Sequence, residues 1–212
     1  MLARSIFMDV MATCGAGGVC YVRSDRPTAF SGSLTVTSVD LTTGATSIVY
    51  KNAALSLPAG PGASLWFTVP IGDENKTVFI ADVVEGGARD DWRLTPTFAS
   101  PIAAIRSAPG TIVSSNLILL AAPVDLLAPA ATVTFTVSSS QNSDGTVDVT
   151  LSTDMPALFV TLTTLAQGRF SDNAFALLPG TARVIQYLPF VIPTDIELLK
   201  NTLRVEHHAT YA

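Results

Sequence analysis

Asp90 and Asp91 are adjacent carboxylates, and paired carboxylates can share the acid and base roles of a hydrolysis. Arg89 and Arg93 flank them, so the plainer reading is a solvated, charge-balanced loop. Asp172 lies in the polar triplet Ser171-Asp172-Asn173. In a turn, an Asp side chain commonly bonds nearby backbone rather than a substrate. His207 and His208 are neighbours, and neighbours on a strand point to opposite faces, which does not suit a shared metal. His207 continues the parity of Leu203 and Val205 and reads as a histidine at the edge of a core. No Gly-x-Ser-x-Gly elbow and no phosphate loop is present. No catalytic residue and no cofactor is therefore assigned.

The aromatic residues offer a different chemistry. Trp66 alternates against Leu65, Phe67 and Val69, so it faces away from them. Trp92 falls in an irregular stretch. Exposed indole faces can stack on sugar rings, which makes Trp66 and Trp92 ligand-binding candidates for a glycan. The alternative is that Trp66 covers the outer side of a sheet or packs on a neighbouring domain, and apolar residues on both faces of nearby strands favour it. Asn75-Lys76-Thr77 is an N-glycosylation sequon in an expected loop. Cys14 and Cys20 do not have zinc spacing, and two residues make no metal site. A disulfide between them would close only a short loop, so two free thiols are expected and the redox compartment stays open.

The elements that would carry these residues are strands. Hydrophobic residues make up 48% of the 212 positions and charged residues 14%, which is enough apolar material for real cores. Thr, Val, Leu and Ala dominate over Lys and Glu, a β-forming mixture. The net charge of −5 gives no basic footprint for nucleic acid. No apolar run reaches the ~18 residues of a membrane-spanning helix. Met1 to Ala12 is apolar, but Asp9 interrupts it, so it is a poor signal peptide. Residues 1–18 are read as an N-terminal extension, poorly ordered or truncated.

Along the chain, Cys20–Arg23 is the first expected strand. Leu34 and Val36 share one parity and Val39 and Leu41 the other; a β-bulge near Thr37-Ser38 would turn all four inward. Ser47–Tyr50 and Ala54–Leu57 read as two short strands, and Lys76–Val84 as another. Residues 86–115 read as a long irregular insertion, rich in proline and charge. Val133, Phe135 and Val137 alternate with threonines, the pattern of a half-buried antiparallel strand. Asn142-Ser143-Asp144-Gly145 is a hairpin turn, and Ile192–Lys200 holds one helical turn capped by Thr194 or Asp195. Short strands at even spacing, twice over, predict two tandem antiparallel β-sandwiches, an all-β fold. Their expected bounds are residues 19–123 and 124–212.

The most organised stretch is Gly168-Arg169-Phe170-Ser171-Asp172-Asn173-Ala174-Phe175. Phe170 and Phe175 flank a polar turn and can anchor it to a core. With Asn116–Leu126 upstream, and Leu188-Pro189-Phe190 and Asn201–Val205 downstream, it resembles the C-terminal immunoglobulin-like domains of β-mannosidases. These belong to the glycoside hydrolase family that also holds β-galactosidases. The likeness runs from about Val19 to the C-terminus and is strongest after Asn116. It implies an accessory, structural role beside a catalytic barrel domain, in enzymes that remove terminal β-linked mannose with two carboxylates. A barrel takes about 250 residues of alternating strand and helix, and none of that pattern is here, so no catalytic residue carries over. The resemblance implies a lysosomal or secreted setting if the chain follows eukaryotic relatives, and a cytoplasmic one otherwise. A free-standing glycan-binding or adhesive module is the alternative.

Overall fold

A computed structural model describes residues 8–86 and 110–210. The chain divides into two compact units at Leu127–Ala128, rather than at Pro123–Val124 as expected. Pro123–Leu127 stays with the first unit, where the Leu127 N–H donates to the Asn75 carbonyl at 2.7 Å.

The first unit contains β1 (Val10–Cys14), β2 (Val19–Ser24), β3 (Phe30–Asp40), β4 (Thr46–Leu57), β5 (Ala63–Thr68), β6 (Thr77–Gly86) and β7 (Gly110–Leu119). They pair antiparallel into a three-stranded sheet, β1-β2-β5, and a four-stranded sheet, β4-β3-β6-β7. The core draws on both sheets: Val10, Ala12 and Val22 from one, Phe30, Leu34, Val36, Phe79 and Val83 from the other. The Asn116 Nδ2 group reaches from β7 to the Ala12 carbonyl on β1, 2.9 Å away. The parity change in β3 is not resolved by a bulge near Thr37-Ser38: β3 pairs with β6 in unbroken register from Gly32 to Asp40, and the slip opposite Val36 and Thr37 adds its residue to β4. Leu34 and Val36 enter the core between the sheets, while Val39, paired with Val78, keeps the opposite face; these and Leu41 are all fully buried.

Four other expectations for this unit are corrected. Residues 10–14 are not part of a loose extension; they form β1, held in full register by β2. Cys14 and Cys20 are not free thiols but a disulfide. They face each other as register partners, because Gly17 and Gly18 take positive φ of 76° and 68° and turn the chain back within a few residues. The two short strands at Ser47–Tyr50 and Ala54–Leu57 are one long strand, β4, carried across a register shift opposite Gly32 and Leu34. The expected insertion ends earlier than Ser115, since β7 begins at Gly110. Asp90, Asp91 and Trp92 lie outside the described residues.

The second unit contains β8 (Val133–Val137), β9 (Val147–Thr153), β10 (Ala157–Thr163), β11 (Gly168–Phe170), β12 (Phe175–Leu177), β13 (Arg183–Pro189), helix α1 (Ile196–Thr202) and β14 (Arg204–Glu206). Its sheets run β12-β10-β14 and β11-β13-β9-β8. Both units are thus immunoglobulin-like antiparallel sandwiches of three strands against four, and the fold is all-β. Val147, Val149 and Leu151 of β9 and Ile185 and Tyr187 of β13 fill the second core. Phe135 lies on the inward face as its alternation suggested, opposite buried Leu151 of β9. It is 38% exposed because β8 is the edge of its sheet. Helix α1 starts later than expected, at Ile196, where the Asp195 carboxylate accepts from the Leu198 N–H at 2.8 Å and caps it.

Carboxylates hold several of the turns. The Asp40 pKa is lowered chiefly by the Thr42 hydroxyl, Asp73 by the Lys76 ammonium, Asp144 by the Thr146 hydroxyl and Asp154 by the Thr132 N–H. Each folded-state pKa lies below the ordinary value of 3.8. The stability they contribute is therefore present above that value and is lost as pH falls through the folded values. The melting temperature, scanned from neutral pH downward, is expected to fall below pH 3.8. A flat acid limb would contradict the assignment.

Candidate functional site

The organised turn of the second unit is built around close approach and a buried cation. Gly168 opens β11 where a Cβ would sit 2.4 Å from the Tyr187 ring and 2.6 Å from the Leu188 carbonyl, so only glycine fits. The released space takes the Tyr187 phenol, fully buried, and desolvation raises its pKa. Phe170 packs on Tyr187 with ring centroids 5.4 Å apart. Phe170 and Phe175 are both buried, as their flanking positions suggested. Ser171 locks the turn to β13: its N–H donates to the Gln186 carbonyl (2.7 Å) and its Oγ accepts from the Gln186 N–H (3.0 Å). Arg169 points to solvent.

Asp172 is structural. Its Oδ1 accepts from the Asn173 N–H at 2.8 Å, and its Oδ2 pairs with the Arg183 guanidinium. Arg183 is 9% exposed, lies over the Phe175 ring at 3.9 Å and donates to the Ala176 carbonyl at 3.3 Å. Burial lowers its pKa to about 10, and Asp172 opposes the shift, so Arg183 stays charged at neutral pH. Sequence reading did not single out Arg183. The available signal was parity: Arg183, Ile185 and Tyr187 share the inward face of β13, where a cation needs a partner.

Asn173 uses its side chain rather than its backbone. Its Oδ1 accepts from the Leu162 N–H (2.7 Å) and its Nδ2 donates to the Leu162 carbonyl (3.1 Å). The amide thus stands in for a strand neighbour of β10. The left-handed residue of the turn is Ala174, with φ 58°, not Asn173. A left-handed L-residue is held at a cost of about 1–2 kcal/mol. Ala174→Gly is expected to raise stability by about 0.5–1 kcal/mol in urea unfolding, the gain being offset by glycine's greater chain entropy. A loss of stability would remove this backbone assignment.

In the first unit, Trp66 on β5 and Tyr21 on β2 are register partners with ring centroids 5.2 Å apart. Trp66 is 65% exposed and faces away from buried Phe67, as its parity predicted. The Arg23–Asp25 ion pair (2.8 Å) is two positions along β2 from Tyr21, opposite Ser64. Elsewhere, the His207 Nε2–H donates to the Ala131 carbonyl at 3.1 Å, which makes it a tie between segments of the second unit. Asn75 is exposed in the turn before β6. Among the described residues, no group of three or more His, Cys, Asp and Glu side chains gathers as a metal site, and no helix is long and apolar enough to cross a membrane.

Residues 127–210 match the Ig-fold domain family of mannosidases. That match covers the second unit. The fold of the whole chain has counterparts in solved enzymes. The β-D-mannosidase of Dictyoglomus thermophilum superposes with TM-score 0.64 at 17% identity, over 96% of this chain and 22% of that one. The exo-chitosanase of Amycolatopsis orientalis gives TM-score 0.54 at 17% identity, over 95% of this chain and 26% of that one. The chain thus spans about a quarter of the length of the solved enzymes it matches. No curated protein matches the sequence. At such identity the superpositions speak for the fold of both units, while the family match covers the second unit alone.

Proposed function

We propose that this chain is the non-catalytic accessory region of a glycoside hydrolase of the β-mannosidase type. The observation that carries the reading is that nearly the whole chain superposes on about a quarter of a β-D-mannosidase. The role is to brace a catalytic barrel domain, the proposed partner. Leu165, Phe190, Val191 and Ile192 of the second unit, each more than 60% exposed, offer an apolar surface for that contact. Sugar specificity belongs to the barrel, and the likeness to a chitosanase fits the same accessory role.

The test is the mass of the native polypeptide, found with an antibody to this segment and by peptide mass spectrometry. A product several times larger, with barrel peptides, is expected. A product at the 22.2 kDa of this chain, or cleavage of a nitrophenyl β-mannoside by the purified chain, would overturn it.

Exposed Trp66 beside Tyr21 favours a second reading, a glycan-binding module. It predicts saturable binding to mannan that drops in Trp66→Ala. Absence of binding across a glycan panel would exclude it.

A further inference from the structure

We propose that Asn75 carries an N-linked oligosaccharide. Asn75-Lys76-Thr77 is the one Asn-x-Ser/Thr sequence in the chain, and its middle residue is not proline, as an acceptor requires. The turn before β6 fixes the backbone of this site and leaves the side chain outside. The Asn75 N–H donates to Asp73 Oδ1 at 3.2 Å, and the Asn75 carbonyl accepts from the Leu127 N–H at 2.7 Å. The Lys76 N–H donates to the Asp73 carbonyl at 3.0 Å, while its ammonium pairs with Asp73 at 2.8 Å. Among the described residues no hydrogen bond engages the Asn75 side-chain amide, and the residue is exposed. A bulky polar group can be attached there without disturbing a packed contact.

An independent observation in the same unit supplies the setting. The Cys14–Cys20 disulfide belongs to an oxidising compartment, and in the secretory pathway that compartment also holds the oligosaccharide donor. The donor is a lipid-diphosphate-linked oligosaccharide. Transfer forms a bond between Asn75 Nδ2 and the terminal sugar C1. The C1–O bond breaks, the lipid diphosphate leaves with the electron pair, and one amide proton passes to the transferase's base. Nothing is oxidised or reduced. A glycan on this turn keeps the start of β6 facing solvent in any larger assembly, so packing surfaces of the first unit lie elsewhere. The proposal is independent of the glycosidase reading.

The full chain is placed behind a cleavable secretion signal in a eukaryotic cell, and its mass is read before and after peptide:N-glycosidase. Wild type is expected to lose one oligosaccharide, with Asn75 converted to Asp at the released site. N75Q and T77A are expected to carry none, and T77S, which keeps the hydroxyl, to carry it. The disulfide is read in the same product by alkylation with and without reduction. Wild-type chain bearing the disulfide and an unmodified Asn75 overturns the proposal. Where a variant is retained in the cell, the peptide spanning position 75 is read from the retained chain, with the same outcomes.

Discussion

Phe175→Ala is expected to destabilise the second unit by about 3–5 kcal/mol, the range for deleting a buried phenylalanine. Two losses combine. The ring fills the core beside Val160 of β10, its register partner, and it roofs the Arg183 guanidinium at 3.9 Å. A buried cation over an aromatic face gains about 2 kcal/mol, and without the ring it faces a cavity. Phe170→Ala removes comparable area from the Tyr187 side but leaves Arg183 covered. The two variants are therefore distinguished by a second substitution. Adding Arg183→Met should recover part of the loss in Phe175→Ala and none in Phe170→Ala. Urea unfolding of the four chains measures this. A Phe175→Ala cost under about 1 kcal/mol would place the ring outside the core.

The second large effect is expected at Asn173. Its amide satisfies both backbone groups of Leu162, a residue only 2% exposed. Removing the side chain leaves a buried N–H and a buried C=O without partners, at about 1–3 kcal/mol each. Asn173→Val and Asn173→Gly should both lose about 2–6 kcal/mol. The sequence alone suggests otherwise: an asparagine in a turn reads as a left-handed residue, which predicts that glycine is tolerated and valine is not. With the left-handed position at Ala174, glycine offers no rescue. Asn173→Asp should also fail, since a carboxylate cannot donate to the Leu162 carbonyl. Hydrogen exchange at the Leu162 N–H is the direct readout. Unchanged protection in Asn173→Gly would refute the pairing.

Much of this protein is determined by local sequence. Alternation sets the inward face of β9, where Val147, Val149 and Leu151 are fully buried. The two phenylalanines around the Ser-Asp-Asn turn announced a core anchor, and Asp195 announced a helix cap. These follow from side-chain period and turn chemistry, which act over a few residues. Tertiary structure decided whatever depends on partners distant in sequence. Phe135 alternates like a core residue, yet β8 has a neighbour on one side only. Val10–Cys14 has too little pattern to read as a strand until β2 pairs with it and aligns Cys14 with Cys20. The role of Asn173 required Leu162 on β10, and that of Arg183 required Asp172 and Phe175. A residue's type states which bonds it can make, and only the packed chain states which groups come within reach.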